Sequence, residues 1–376
     1  MPPQTSSSKL RRSPAPHSLV PSLLDWFAIA ARNLPWRRTL DPYAIWVSEI
    51  MLQQTQVKTV IPYWERWMRE LPDVAALVAA PEQRVLKLWE GLGYYTRVRN
   101  LQKAAQQIVA QHAGHFPRGF DAVLALPGVG RYTAGAITSI AFNAPNPILD
   151  GNVIRVLTRL FGIRGNPREK TTNAQLWLLA TRLVQAAADS QPSTLNPQLP
   201  APCSALNQSL MELGATLCTP QNAQCPQCPV QSLCAAHREG RVGELPNLSP
   251  RASATSREFH TFVMERGGKF LVTQRPAGGV NARLWEFPNL EVTGLRLAPE
   301  TSAKQLLQVT IRCEPLCEVK HTITRYRITQ RVFRVRWPSA EASVPAHTRW
   351  LCMPELHALP FTSAHRRILC RVAAGI

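Results

Sequence analysis

The sequence predicts a mainly α-helical protein that ends in a smaller α+β domain, and three observations predict it. From residue 19 to residue 239, apolar residues recur at helical spacing with little β-branched alternation. Residues 241–256 are rich in Gly, Pro, Ser and Ala and nearly without periodicity, as a linker is. After them, short strand-like runs take over. With 45% hydrophobic and 18% charged residues the chain can bury a large core, so its net charge of +19 is not the mark of disorder. That charge favours a polyanionic partner, nucleic acid first and an anionic membrane surface second. Arginine far outnumbers lysine while Ala and Pro abound, so a GC-rich genome is a second source of the excess, and charge alone names no function.

Taken in order, residues 1–18 carry Lys9, Arg11, Arg12, several serines and no acid, the composition of a transit peptide. Pro2, Pro3, Pro14 and Pro16 oppose its amphipathic helix, and a disordered tail is expected. Pro21 and Asp25 interrupt the following stretch, which rules it out as a secretory core. No run of 18 apolar residues exists, which excludes a helical membrane span. Helices are expected over 43–59, 120–125, 132–141 and 153–160. The Pro-rich insertion 189–202 is expected to be an exposed loop. Strands are expected over 260–264, 270–274 and 322–337, and helices over 302–309 and 363–372. There is no internal repeat. Nine cysteines, an odd number without a secretion signal, indicate a reducing compartment and metal or free thiols rather than disulfides.

Four of those cysteines carry the first chemical signal. Cys218, Cys225, Cys228 and Cys234 are separated by six, two and five residues. Pro220, Pro226 and Pro229 keep the segment from becoming a regular helix, so the four thiolates can converge. Such a set suits tetrahedral zinc or a 4Fe-4S cluster, and ligand type does not separate them. Cys203 fits no ligand pattern. Cys313, Cys317 and His321 recur every four residues, but Pro315 breaks helical register there and no second metal site is expected.

The second signal is a turn and two carboxylates. In Leu126-Pro-Gly-Val-Gly130, Gly128 and Gly130 permit a tight turn and leave amides unobstructed at the start of the next helix, where a phosphate can bind. Asp150 stands where a helix N-cap belongs, and a helix N-terminus favours its ionised form. Glu49 has Ile45, Trp46, Leu52 and Gln53 one turn away and no cationic helical neighbour. An apolar setting raises a carboxyl pKa and keeps it available as a proton donor near neutrality. Two carboxylates whose surroundings push their pKa values apart form an acid and a counter-charge.

The segment Trp46-Val-Ser-Glu-Ile-Met-Leu-Gln-Gln-Thr-Gln-Val57 resembles the signature of MutY-type adenine DNA glycosylases, within the helix-hairpin-helix and endonuclease III superfamily. So do Leu34-Pro-Trp-Arg37, Gly91-Leu-Gly-Tyr-Tyr95 with Arg97 and Arg99, the Leu126–Gly130 turn continuing through Thr133-Ala-Gly-Ala-Ile137, Ile148-Leu-Asp-Gly-Asn-Val153, and Leu206-Asn-Gln-Ser-Leu-Met-Glu-Leu-Gly214. The resemblance runs from about residue 19 to the end. It implies a six-helix barrel over 41–147, with 19–40 and 148–240 forming a cluster subdomain, a linker over 241–257 and a recognition domain over 258–376. It makes Glu49 the acid that protonates adenine N7 and Asp150 the stabiliser of the oxocarbenium sugar, with Asn152 and Tyr132 assisting. Arg37, Leu52, Thr55 and Glu212 would line the pocket of the flipped adenine, and Gln54 and Tyr94 would enter the base stack around the opposing purine. The four cysteines would carry one 4Fe-4S cluster per subunit, structural rather than the site of base excision.

Leu284-Trp-Glu-Phe-Pro288, after Gln274-Arg-Pro276, resembles the Nudix-like domain that ends MutY proteins. A working Nudix hydrolase needs an Arg-Glu-x-x-Glu-Glu run, which the following segment lacks, so recognition of 8-oxoguanine is the implied role. Where many members have Phe-Ser-His, this chain has Ile323, Thr324 and Arg325. Thr324 keeps a hydroxyl and Arg325 a donor. Arg325, Arg327, Arg331, Arg334 and Arg336 carry much of the positive charge. A switch in their strand parity implies a bulge or two faces of contact.

The expected function is thus excision of adenine mispaired with 8-oxoguanine or guanine in double-stranded DNA, without strand cleavage, because Tyr132 replaces the lysine of bifunctional relatives. The expected setting is a cytoplasmic, nucleoid-associated monomer that uses no membrane and no nicotinamide or nucleotide cofactor. The alternatives are another mismatch or oxidised-pyrimidine glycosylase of the same superfamily, and a noncatalytic iron-sulfur DNA-binding protein.

Overall fold

The computed structural model describes residues 14–190, 201–249, 253–307, 311–336 and 347–375, and they fall into two compact units. The first unit takes in the chain up to Met68, Pro72–Ala75, and the stretch from Lys103 to the end of the helical half. The second takes in Arg69–Leu71, Ala76–Gln102 and the C-terminal strands and helices. Most of the expected tail and of the 189–202 loop lies outside the described residues.

The helical half runs through α1 (Pro16–Ala30), α2 (Pro42–Leu52), α3 (Val57–Glu70), α4 (Val74–Ala79), α5 (Glu82–Leu88), α6 (Thr96–His112), α7 (Phe120–Leu124), α8 (Arg131–Phe142), α9 (Gly151–Leu160), α10 (Lys170–Ala188), α11 (Pro202–Thr216) and α12 (Ala235–Arg238). Helix α1 starts inside the expected tail. Pro16 sits in its first turn, where a missing N–H costs nothing, and Leu19, Val20, Leu23, Leu24 and Phe27 give it a buried face. Helix α2 packs against α8. Asp41 caps it by accepting from the Tyr43 amide at 3.0 Å, and every residue from Tyr43 to Met51 is buried. Its aromatic neighbours bury their bulk while keeping their polar atoms satisfied: Trp67 Nε1 donates to the Tyr43 hydroxyl at 3.0 Å and Trp64 Nε1 to the Ala44 carbonyl at 2.9 Å.

The helix expected over 43–59 is two helices. It stops at Leu52, the Thr55 amide closes a turn onto the Leu52 carbonyl at 3.2 Å, and Gln54 takes a left-handed φ of 58° before α3 begins. Such a conformation costs a non-glycine residue about 1–2 kcal/mol. Neither Gly nor Pro marks the break, so the helical pattern overran it.

In the second unit β1 (Thr255–Arg266), β2 (Lys269–Gln274), β3 (Trp285–Glu286), β4 (Asn289–Glu291), β5 (Cys313–Ile323), β6 (Tyr326–Arg336) and β7 (Thr348–Cys352) form one sheet. Its main order is β3-β2-β1-β6-β5, with β4 on β1 and β7 on β2; β1 and β6 are parallel and the other pairs antiparallel. Three helices accompany it: α13 (Pro299–Leu307), α14 (Met353–Ala358) and α15 (Ser363–Ala373). Val332 and the adjacent Phe333 enter different cores, one shared with Leu356, Ile368 and Leu369, the other with Ala303 and Met264. Successive strand residues point to opposite faces, so the sheet is covered on both.

Two expectations about the strands change here. The strand expected over 322–337 is a hairpin, because Ile323 pairs with Tyr326 and leaves Thr324 and Arg325 as a two-residue turn. The bulge lies in β5, between Pro315 and Cys317, not among the arginines of β6. Arg334, half-buried, and Arg336, exposed, lie on the Val332 face of β6, whereas Arg327 and Arg331, both exposed, lie on the Phe333 face, so the arginines are spread over two faces of the strand. The linker is also partly built in. The Leu245 side chain is buried, Arg159 Nε donates to the Leu245 carbonyl at 2.8 Å, and β1 already begins at Thr255. Ala76–Gln102, which lie in the stretch expected as a six-helix barrel, cluster with the C-terminal strands and helices. Lys87 and Arg99 donate to the Leu359 and Ala282 carbonyls, and Glu90 accepts from the Phe361 amide.

Candidate active site

A cavity of about 570 Å³ in the first unit is lined by Arg32, Arg37, Glu49, Leu52, Gln53, Gln54, Thr55, Tyr132, Asp150, Asn152, Met211 and Glu212, among others. That volume suits one small ligand held by a few polar groups. It gathers every catalytic and pocket residue expected in this half, drawn from the α2 end, the α8 start, the α9 cap and α11.

Glu49 reaches the cavity from α2 and is 5% exposed. Tyr132, on the first turn of α8, donates its hydroxyl to Glu49 Oε2 at 2.7 Å and also lies 3.3 Å from Met211 Sδ. Burial, the largest influence, raises the Glu49 pKa to about 7; the Tyr132 hydrogen bond and Arg37 pull it down and Asp150 pushes it up. Burial and the two carboxylates also lift the Tyr132 phenol well above its ordinary value, so it stays protonated as a donor.

Asp150 caps α9 as expected, accepting from the Val153 amide at 2.8 Å. Its other oxygen accepts from Asn152 Nδ2 at 3.0 Å. The expectation of a simply ionised carboxylate needs amending: burial raises its pKa, while the bonds from Val153 and Asn152 and the charge of Arg155 oppose that rise. Burial thus dominates at both carboxylates, opposed at Glu49 by the Tyr132 phenol and Arg37 and at Asp150 by the Val153 and Asn152 hydrogen bonds and Arg155.

Glu212 closes the cavity from α11. Arg32 grips it with Nε on Oε1 at 2.6 Å and Nη2 on Oε2 at 2.9 Å, and Arg37 Nη2 adds a bond to Oε2 at 2.9 Å. Burial works against the charge, but these bonds win and hold the Glu212 pKa at about 2. Arg32 was not among the expected residues, nor was Gly214. A Cβ on Gly214 would stand 2.6 Å from Asn152 Cβ, so its bare backbone is what lets α11 pass the α9 start. The glycine that ends the Leu206–Gly214 motif was the available signal.

The hairpin turn holds Gly128 at φ 77°, with Val129 buried between two exposed glycines. Gly130 precedes α8 with no side-chain cap, leaving that helix start open to an outside acceptor. Cys218, Cys225, Cys228 and Cys234 line a common pocket with Leu160, Leu213 and Leu217. Buried Arg159 brings Nη1 to 3.4 Å from Cys218 Sγ and to 2.8 Å from the Thr219 carbonyl. Among the described residues, no three His, Cys, Asp or Glu side chains stand as a ready single-ion site. An apolar pocket ringed by four cysteine sulfurs, with a guanidinium that would offset the charge of their thiolates, nonetheless has the donor set a cluster requires. Tyr94, Thr324 and Arg325 belong to the second unit.

Residues 47–182 match the HhH-GPD superfamily of base excision DNA repair proteins, and residues 260–371 match the NUDIX domain. The adenine DNA glycosylase of Homo sapiens is 35% identical over 419 residues, spanning 94% of this chain and 73% of that protein. The chain belongs to the adenine DNA glycosylase family. That of Buchnera aphidicola subsp. Schizaphis graminum is 34% identical over 270 residues, covering 72% of this chain and 74% of its own. Among solved structures, a thermostable thymine-DNA glycosylase superposes with a TM-score of 0.51 at 27% identity, over 60% of this chain and 97% of that one. No described helix of this member is long and apolar enough to cross a membrane.

Proposed function

We propose that this chain hydrolyses the N-glycosidic bond of adenine mispaired with 8-oxoguanine or guanine in double-stranded DNA and leaves an abasic site. One observation carries the reading: a buried glutamate with a pKa of about 7 shares a cavity with a capped aspartate and with a glutamate held ionised by two arginines. An adenine turned out of the duplex would enter that cavity, at an unstacking cost of a few kcal/mol. Glu49 gives its proton to N7, making the base a better leaving group. The C–N bond breaks, the base takes the electron pair, and Asp150 faces the positive sugar until water adds. Tyr132 holds the Glu49 carboxyl, and Asn152 steadies Asp150. Arg37, Leu52, Thr55 and Glu212 line the base pocket, and Gln54, on its left-handed turn, enters the stack with Tyr94. Tyr132 has no amine for a Schiff base, so strand cleavage is not expected.

The N-terminus of α8 behind Gly128 and Gly130 suits a backbone phosphate. In the division we adopt, residues 19–240 do the chemistry, 241–257 link, and 258–376 recognise the opposing purine through the turn of Thr324 and Arg325. Cys218, Cys225, Cys228 and Cys234 would hold one 4Fe-4S cluster, which cross-links their loop and takes no part in base release. The working form is a monomer in the cytoplasm, at the nucleoid. Single-turnover release of adenine from defined mispairs, followed by alkali, tests the reading. Release by the wild type and its loss in Glu49→Gln support it; no adenine release by the wild type, or release of thymine or an oxidised pyrimidine instead, overturns it.

A further inference from the structure

Within the second unit, three backbone groups of one short segment are taken up by side chains from residues 87–95. Lys87 Nζ donates to the Leu359 carbonyl at 2.8 Å. The Phe361 amide donates to Glu90 Oε1 at 2.7 Å, and the Phe361 carbonyl accepts from the Tyr95 hydroxyl at 3.5 Å. Glu90 is the hub. Its Oε2 also accepts from Lys87 Nζ at 2.8 Å and faces Arg366 Nε at 3.8 Å, and its side chain is only 12% exposed. The segment it grips is tied into the sheet, because the Trp285 amide bonds to the Pro360 carbonyl at 2.9 Å and the Thr362 amide to the Trp285 carbonyl at 3.2 Å. Arg99 adds a bond to the Ala282 carbonyl.

The turn that follows Glu90 is built to present one ring. Tyr94 has a left-handed φ of 47° and remains 44% exposed. Arg97 lies 5.5 Å from its ring centroid, with its own Nη2 anchored on the carbonyls of Leu92 and Gly93 at 3.1 and 3.2 Å. A strained backbone holding an exposed aromatic persists only where its surroundings fix it, and the Glu90 grip is adjacent.

We propose that Glu90 is a positioning residue that locks the Tyr94 turn to the Leu359–Phe361 segment, so that Tyr94 and the Thr324–Arg325 turn read the base opposite the excised adenine as one body. This rests on the proposed function, since it concerns how that opposing base is sensed. An i,i+3 Lys–Glu pair is ordinarily a weak surface contact; here Lys87 closes α5, Glu90 stands in the turn after it, and both reach main-chain groups more than 260 residues away. Glu49 belongs to the first unit, whereas Tyr94, Glu90 and the Thr324–Arg325 turn all belong to the second.

The test uses the full-length protein as wild type, Glu90→Ala, Glu90→Gln and Lys87→Met. Amide hydrogen exchange should rise about tenfold at Phe361 and across residues 91–97 in Glu90→Ala, the loss expected for one charged hydrogen bond. Glu90→Gln, which keeps an acceptor for the Phe361 amide, should recover much of that protection. The ratio of adenine release opposite 8-oxoguanine to release opposite guanine should fall about tenfold in Glu90→Ala, with the pH midpoint set by Glu49 unmoved. Lys87→Met should move both readouts in the same direction and serves alone if Glu90→Ala does not fold. Unchanged exchange at 91–97, or raised exchange with an unchanged ratio, overturns the proposal, as does a loss of protection spread equally through α9 and α11. A wild type that releases adenine equally opposite both purines also overturns the proposal, since there is then no reading of the opposing base to lose; a wild type that releases no adenine fails the functional reading instead, and exchange still decides whether Glu90 holds the turn.

Discussion

The Tyr132 hydroxyl donates to Glu49 Oε2 across 2.7 Å inside a cavity that also receives Asp150. A phenol that cannot ionise near neutrality is a fixed dipole. It orients the carboxyl, and it leaves burial to set a pKa of about 7, high enough for the acid form to persist at working pH.

Activity should therefore fall as pH rises through about 7, as Glu49 loses its proton. Single-turnover rates across pH should show that inflection in the wild type and lack it in Glu49→Gln, whose rate should be lower by roughly 100- to 10,000-fold. The stability sign is the same. A raised folded pKa means that the native state holds the proton more tightly than the unfolded chain, so the contribution is full below the ordinary carboxyl value and lost as pH rises through 7. Urea melts at pH 5 and 8 should show a smaller loss for Glu49→Gln than for the wild type.

Glu212 behaves in the opposite way. Its depressed pKa makes its contribution to stability present above the ordinary carboxyl value and lost as pH falls toward 2. Glu212→Ala would leave the Arg37 guanidinium, whose side chain is 14% exposed, without its carboxylate. A loss of about 3–5 kcal/mol is the usual consequence of breaking a buried pair on one side. Arg37→Ala on the same background should cost far less than in the wild type, which a double-mutant cycle by chemical denaturation measures.

How much of this was legible follows from what each feature depends on. Glu49, Asp150 and the four cysteines stand in local motifs, and their neighbours within a few residues already implied burial, capping and convergence. The Gln54 turn was not legible, because its left-handed residue is neither Gly nor Asn and the apolar pattern runs through it unchanged. Arg32 escaped for another reason: its partner lies 180 residues away, and nothing around Arg32 distinguishes it from a surface arginine. The same holds for residues 76–102, which join the C-terminal unit through backbone groups of Leu359 and Phe361, and backbone acceptors leave no trace in composition. The 313–336 hairpin was half seen because Thr324-Arg325 lacks the Asn-Gly chemistry that usually marks a two-residue turn.

Gly214→Ala should damage the site from outside it. The added Cβ would lie 2.6 Å from Asn152 Cβ and 3.0 Å from its Cα and carbonyl oxygen, so backbone must move. Overpacking of this kind costs about 1–3 kcal/mol, and the displaced residue is the one that donates to Asp150. Release rates should drop more than binding weakens. Gly119→Ala, where an added Cβ meets nothing within 4 Å, is the matched control and should leave both unchanged.

The Thr324–Arg325 turn yields a prediction about salt. Both residues are exposed at the tip of the β5–β6 hairpin. Arg325 is not loose there: its Nη2 lies 3.1 Å from the Tyr326 hydroxyl and its guanidinium 5.2 Å from that ring, which Arg257 approaches at 4.0 Å. Two cations on one ring make the tip strongly positive. If Arg325 neutralises a phosphate, Arg325→Ala should reduce the slope of log affinity against log salt by about 0.9 for duplex DNA, matched or mismatched. Arg331 already has Glu258 at 3.4 Å, so Arg331→Ala should change the slope less. Fluorescence anisotropy of a labelled duplex at several salt concentrations reads both. A slope unchanged by Arg325→Ala, with affinity lost only for the duplex carrying 8-oxoguanine, would leave the guanidinium its proposed part in reading the opposing purine and none on the backbone.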